Sequence, residues 1–398
     1  MNTMIVEVAL ADVASFLNGG TPSRSNPEYF EGTIPWITGA DILADSSIVS
    51  NARSHITREA IARSAANLVP AGTVLLVTRT GVGKAAIAGV DLAYSQDITA
   101  IVHDEDKITP AYLLRCLKYM APRFKALAQG ATIQGITREV VEETLIPLPP
   151  IEEQRRIAAV LDAADALRAK RREAIAKLDS LTQAIFIDMF GDLARNNRQW
   201  PVVPIGDFVE GFQTGRSVSA APNETDGDYR VLKVSAVTSL TYKPDQAKPV
   251  PPGYQPRASH IVRAGDLLMS RANTSELVGR CAYVQETPPA MLLPDKLWRF
   301  MWSQPQRAEP RFVWKALQNR RFRGDIADIA TGSSGSMKNI SQKGFLRLTI
   351  PLPPIGLQTA FTARFRAITD LGSQKAAELQ ALDTLFASLQ QRAFRGEL

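Results

Sequence analysis

Cysteine and histidine are scarce in this chain, and the few that occur are scattered. Its two cysteines, Cys116 and Cys281, lie far apart and without CxxC spacing. That argues against a disulfide framework or a structural zinc site and leaves both as core thiols. The three histidines, His55, His103 and His260, are isolated, so no HxxxH-type pair is available to a metal. No run approaches the ~18 uninterrupted apolar residues of a membrane span. Met1 to Leu10 has no basic region followed by an apolar stretch, so no secretion signal is expected and the cytoplasm is the expected compartment. Neither sign of charge dominates: 46 basic and 40 acidic side chains leave a net +6, a mild bias toward an anionic partner. Within Ile151 to Phe190 the bases (Arg155, Arg156, Arg168, Lys170, Arg171, Arg172, Lys177) are matched by acids (Glu152, Glu153, Asp162, Asp165, Glu173, Asp179, Asp188), so the excess lies elsewhere.

What is present is an ordinary globular composition, 45% apolar and 22% charged, over 398 residues. That length implies two or three domains. The clearest feature is an internal repeat: Ile146-Pro147-Leu148-Pro149-Pro150-Ile151 recurs as Ile350-Pro351-Leu352-Pro353-Pro354-Ile355. Upstream, Gly72 to Arg79 resembles Gly265 to Arg271, and Gly130 to Thr137 resembles Gly332 to Ser341. Near the starts, Val8 to Val13 parallels Val203 to Phe208. Short strands such as Val74 to Thr78 and Leu267 to Ser270, separated by Pro, Gly and Asn turns, predict a mixed α+β unit. One packing helix is expected within each copy, over Tyr112 to Leu127 and Arg311 to Arg323.

After each Pro-Pro the period becomes helical, and Glu152 and Glu153 suit the positive end of a helix dipole. Ile157, Val160, Ala164, Leu167, Arg171, Ala174, Leu178, Leu181 and Ile185 alternate by three and four residues, the spacing of a coiled-coil seam. The second helix aligns Lys375, Leu382, Leu385 and Leu389 with Arg171, Leu178, Leu181 and Ile185. The fold expected is two tandem mixed α/β domains, 1–150 and 195–354, separated by an antiparallel coiled coil of two long helices, 151–194 and 355–398, with pseudo-twofold symmetry. A spacer of roughly 38 residues at ~1.5 Å each is about 57 Å long. That exceeds one and a half turns of B-DNA at ~34–36 Å per turn, so both domains could grip one duplex.

Catalytic constellations do not emerge. Gly81-Val82-Gly83-Lys84 evokes a phosphate loop, yet the earlier glycine is missing and Ala85 replaces the magnesium-binding hydroxyl. None of the Pro-Pro pairs forms the Asp/Asn-Pro-Pro-aromatic tetrad that a resemblance to amino-methyltransferases would require. Pro244-Asp245 with Lys248, and Pro294-Asp295 with Lys296, keep open a self-sufficient metal-dependent nuclease, and a coiled-coil scaffold without a DNA role is a third possibility. Better supported is nucleic-acid contact. Arg311, Lys315, Arg320, Arg321 and Arg323, interleaved with Phe312, Trp314 and Phe322, form a basic segment suited to phosphates. Loop residues able to read bases are Arg79, Lys84, Gln134 and Arg138 in the first copy and Arg271, Asn273, Lys338 and Asn339 in the second.

Two diverged copies each ending in Pro-Leu-Pro-Pro, Ile151-Glu152-Glu153-Gln154 and Arg155-Arg156-Ile157 opening the first helix, and Lys338-Asn339-Ile340-Ser341 before the second turn together resemble the specificity subunit of type I restriction-modification systems across essentially the whole chain. The resemblance implies two target-recognition domains for a split double-stranded DNA target. It also implies helices that dock two methyltransferase subunits, with Glu153, Gln154, Ile157, Leu161, Leu178, Leu181, Leu382 and Leu385 as the partner-binding positions. S-adenosylmethionine, ATP and magnesium would then belong to partners, including restriction subunits reached through the methyltransferase, and this chain would be non-catalytic, with no cofactor of its own. One departure is Gly356-Leu357-Gln358 in place of Glu152-Glu153-Gln154, which implies altered docking at that end.

Overall fold

Val8 lies opposite Ile146, and Val203 opposite Ile350, in two short antiparallel pairs that tie the start of each copy to the repeated hexapeptide. A computed structural model describes residues 6–130, 134–218, 227–334 and 337–398. Positions 131–133 and 335–336 of the Gly130–Thr137 and Gly332–Ser341 repeats lie outside the described residues. The chain divides into two compact units, Met1–Ala174 with Lys375–Leu398, and Ile175–Gln374. Both mix helices and sheets.

In the first unit a five-stranded sheet runs in the order Ala14–Asn18, Ile98–His103, Val74–Val77, Ala85–Ala88, Ile48–Val49. All four side chains of Val74–Val77 are buried, as expected of a continuous apolar run covered on both faces. A four-stranded sheet (Ser54–Ile56, Ile34–Ile37, Leu92–Tyr94, Leu68–Val69) packs its own smaller core. The second unit repeats the strand order: Val209–Gln213, Leu297–Trp302, Leu267–Ser270, Cys281–Tyr283, beside two three-stranded sheets. Cys116 and Cys281 are free and buried, as read from their spacing, and burial pushes the Cys281 thiol up to about 12.

Helix α1 (Pro110–Leu127) buries Leu113, Leu114 and Leu117, the face expected for it. The corresponding segment of the second copy is two helices rather than one, α3 (Pro310–Leu317) and α4 (Arg320–Asp328), because Asn319 caps the second by accepting from Arg321 N at 3.0 Å. Long helices α2 (Ile151–Phe190, 40 residues) and α5 (Ile355–Arg395, 41 residues) follow the two hexapeptides.

Neither long helix is a piece apart from the domains. Ile157, Ala158 and Leu161 of α2, with Phe386 and Ala393 of α5, join the core of Leu10, Leu113 and Ile146. Phe186, Met189 and Phe190 of α2, with Phe361 and Phe365 of α5, join that of Phe208, Phe312 and Phe345. Inside the first unit Arg171 pairs with Glu378 at 2.8 Å, Arg168 with Asp383 at 2.6 Å, and Arg156 donates to the Leu398 carbonyl at 2.8 Å, so partner numbers rise on one helix as they fall on the other. Inside the second, Phe186 meets Phe361 edge-on, and Gly372 faces Leu178.

The seam differs from the expected one. Leu167 and Leu181 are 55% and 44% exposed, while Ile157, Leu161 and Thr182 are buried. The less exposed line is Ile157, Leu161 and Thr182, buried, with Ala164, Arg168, Arg171, Ile175 and Leu178 half-buried between them. It shares every second position with the sequence reading and is shifted by one residue at the others. Arg168 can hold a seam position because its guanidinium stacks 4.3 Å from the ring centroid of Phe386.

Candidate nucleic-acid interface

Several of the base-reading candidates lie on one backbone arrangement in each unit. In the first, Arg79 leaves the strand Val74–Val77 and bridges to Gly135, which also bridges to Gln129. A β-carbon at 135 would lie 2.9 Å from Arg79 Cγ and 3.1 Å from the Thr78 carbonyl oxygen, so the close approach requires glycine. The result sets Arg79 beside Gln134, both exposed. Among the described residues the Arg79 side chain has no hydrogen bond or ion pair. Arg138 opens a five-residue helix capped by Thr137, and its Nε donates to Glu142 at 2.5 Å.

In the second unit the strand Ala272–Asn273 pairs with Met337–Asn339, with Ala272 opposite Asn339 and Asn273 opposite Lys338. Lys338 Nζ donates to the Gly332 carbonyl at 2.8 Å, and Asn273 Oδ1 accepts from Thr274 N at 2.8 Å. Asn339 is exposed.

The two arrangements match, with one correction to the sequence alignment. Gly83 N donates to the Val77 carbonyl at 3.0 Å as Gly279 N does to Ser270 at 2.7 Å, and Ile136 N donates to Thr78 as Ile340 N does to Arg271, both at 2.9 Å. Thr78 is therefore the counterpart of Arg271, and Arg79 that of Ala272. Arg79 and Arg271 are one residue out of register and, by strand alternation, face opposite sides. Arg271 is half-buried and its Nε bonds the Asp295 carbonyl at 2.9 Å.

Residues 4–177 match the family model of the type I restriction modification DNA specificity domain. The MjaIX specificity subunit of Methanocaldococcus jannaschii is 30% identical over 185 residues, 46% of this chain and 43% of that relative. The MjaVIII specificity subunit of the same organism is 21% identical over 392 residues, 94% and 88% of the two chains. A crystal structure of the type I restriction-modification S subunit from M. genitalium superposes with a TM-score of 0.61 at 15% identity, covering 99% of this chain and 97% of that one, which shows a shared fold. The first part of the chain, residues 4–177, is thus similar to the type I DNA specificity domain. It spans less than half the length of the first of these relatives.

The basic segment expected from Arg311 to Arg323 does not form one face. Arg311 is 7% exposed, its guanidinium 4.5 Å from the Tyr283 ring centroid. Lys315 lies 4.5 Å from the Trp314 centroid, and Arg323 turns inward, where burial lowers its pKa and its Nη2 donates to the Glu276 carbonyl at 3.1 Å. Arg320 and Arg321 are exposed, with Arg321 donating to the Ala194 carbonyl. Lys84 is half-buried and its Nζ lies 3.3 Å from the Gly39 carbonyl oxygen.

Among the expected partner-binding positions, Gln154, Ile157 and Leu161 are buried inside the chain itself. Gln154 is a joint residue: its Oε1 accepts from Thr109 N at 2.9 Å and its Nε2 donates to the carbonyls of Lys107 and Pro149 at 2.8 and 2.9 Å. Gln358 does the same in the second unit, accepting from Glu309 N at 2.9 Å and donating to Pro353 at 2.7 Å. The signal in the sequence is the glutamine shared by Ile-Glu-Glu-Gln and Ile-Gly-Leu-Gln, whose two preceding residues differ. Glu153 pairs with Arg156 at 2.6 Å. Leu178 and Leu382 are half-buried, and Leu385 is 51% exposed. Gly356 is exposed and does not prevent α5 from starting at Ile355.

Proposed function

We propose that the chain is the non-catalytic DNA-recognition subunit of a type I restriction-modification complex, reading a split, asymmetric target with one half-site per unit. The observation that carries this reading is the matched backbone of Arg79–Gly135 and Ala272–Asn339, which presents Gln134 with Arg79 in one unit and Lys338 with Asn339 in the other. Arginine pairs with guanine, and asparagine or glutamine with adenine, so different side chains on like backbones select different half-sites. In this reading residues 1–150 and 195–354 are the recognition domains, and 151–194 and 355–398 the arms of an antiparallel coiled coil that relates them by a pseudo-twofold axis.

Methyltransferase subunits dock along that coil. Leu167 and Leu385, and Leu181 and Leu371, are 41 to 55% exposed and supply apolar surface for them. S-adenosylmethionine belongs to those subunits, and ATP and magnesium to the restriction subunits that join through them, in the cytoplasm.

Methylation mapping in cells carrying the partner subunits tests the assignment. Arg79→Ala with Gln134→Ala is expected to relax one half-site, and Lys338→Ala with Asn339→Ala the other. Loss of both half-sites from either pair, or of neither, would sink it.

A further inference from the structure

The motif Gly81-Val82-Gly83-Lys84 fails as a nucleotide loop, yet it leads into a cleft. Gly83 has φ +88° and packs on α1, where an added β-carbon would lie 3.0 Å from Ala121. Lys84 thereby lines an open cleft of about 600 Å³ in the first unit, together with Lys118, Lys125, Arg168 and Arg172. Two further wall groups neutralise each other: Arg115 holds Asp165 at 2.9 Å and reaches Asp162 at 2.5 Å. Arg168 shares Asp165 and Asp383. Asp45 also lines the cleft, and the remaining cations have few close partners. Lys118 Nζ donates to the Ser46 carbonyl at 2.7 Å and lies 3.4 Å from Ser47 Oγ. Burial, and then the charge of Arg115, lower its pKa against the opposing charges of Asp165, Asp45 and Asp162. Arg172 reaches Asp383 only at 3.5 Å. Lys125 is exposed, with no side-chain partner among the described residues.

The second copy keeps a cation, Arg280, after the counterpart of Gly83, but it lacks three of the other charges. The hydrogen bonds of Gln154 to Thr109 and of Gln358 to Glu309 align the two copies. On that alignment Gln318, Gly372 and Ala376 of the second copy stand where Lys118, Arg168 and Arg172 stand in the first. A half-buried cation beside another cation is costly; nearby acids offset part of that cost at Lys118, and the cleft wall still carries more cations than acids.

We propose that the cleft lined by Lys84, Lys118, Lys125 and Arg172 binds a phosphate group, carried either by the DNA backbone or by a free phosphate compound. The site is independent of the base-reading assignment, because it needs only phosphate chemistry. Charge-assisted bonds to phosphate oxygens satisfy ammonium and guanidinium donors together.

The test titrates the full chain with inorganic pyrophosphate, followed by calorimetry and by thermal shift against sodium chloride of equal ionic strength. Saturable binding is expected, weakened roughly tenfold or more by Lys118→Met. Arg172→Ala and Lys125→Ala change more exposed groups, keep the test open should Lys118→Met fold poorly, and are expected to weaken binding as well. No effect beyond the salt control, or binding unchanged in both Arg172→Ala and Lys125→Ala, overturns the proposal. Competition names the source and supports the site either way: displacement of pyrophosphate by duplex DNA lacking the target assigns the backbone, and persistence under saturating duplex assigns a free phosphate compound. Because that duplex carries no half-site, failure here would leave the half-site reading untouched.

Discussion

Gln154 and Gln358 each close the angle between a packing helix and a long helix with one side-chain amide. Removing the amide leaves a half-buried N–H, of Thr109 or of Glu309, without its acceptor, at a cost of about 1 kcal/mol. Gln154→Ala and Gln358→Ala are each expected to lower the midpoint of thermal unfolding, and unchanged midpoints would remove the joint from the account. Asp41 gives a second residue-scale prediction. Burial alone would raise its pKa, but the hydrogen bond from Arg53 and those from Thr38 bring it down to about 2. A depressed carboxyl stabilises the fold above its ordinary value of 3.8, and the contribution is lost as pH falls through the folded value. The stability advantage of the native chain over Asp41→Asn is therefore expected at neutral pH and should disappear as pH approaches 2. A difference that stays constant across that window would contradict the assignment. Cys116 and Cys281, both buried with raised thiol pKa values, are expected to react with thiol reagents only after unfolding.

At the scale of the elements, the starts of the long helices were legible because Pro-Pro breaks the preceding pattern and the apolar period changes directly after it. The seam was legible only at alternate positions. Spacing by three and four residues fits either of two lines, and Leu167 and Leu181 look better than Arg168 and Thr182 until Phe386 is seen beneath Arg168. The two lines separate in a simple experiment. Leu161→Ala empties a fully buried position and is expected to cost about 2–5 kcal/mol, whereas Leu167→Ala is expected to stay within about 0.5 kcal/mol. Equal losses by denaturant unfolding would restore the original line. The division of the basic segment at Asn319 was legible in principle, since asparagine before Arg320 is a good helix cap. The inward turn of Arg311 and Arg323 was not, because the aromatic faces and carbonyls that receive them come from distant parts of the chain.

For the whole molecule, the repeat announced a duplicated α+β fold before any coordinates, and the two copies do share strand order, joint and loop backbone. A one-residue difference in length between Gly72–Arg79 and Gly265–Arg271 concealed the true counterparts, and hydrogen bonds across to Ile136 and Ile340 reveal them. The proposed function assigns one half-site to each unit and so requires a fixed spacing between the two in the target. Inserting one base pair into the spacer of the mapped target moves the half-sites apart by about 3.4 Å and turns one by about a tenth of a helical turn. The account predicts that specific binding of the partner-loaded complex collapses to its level on unrelated duplex. Unchanged specific binding to the lengthened target would contradict it.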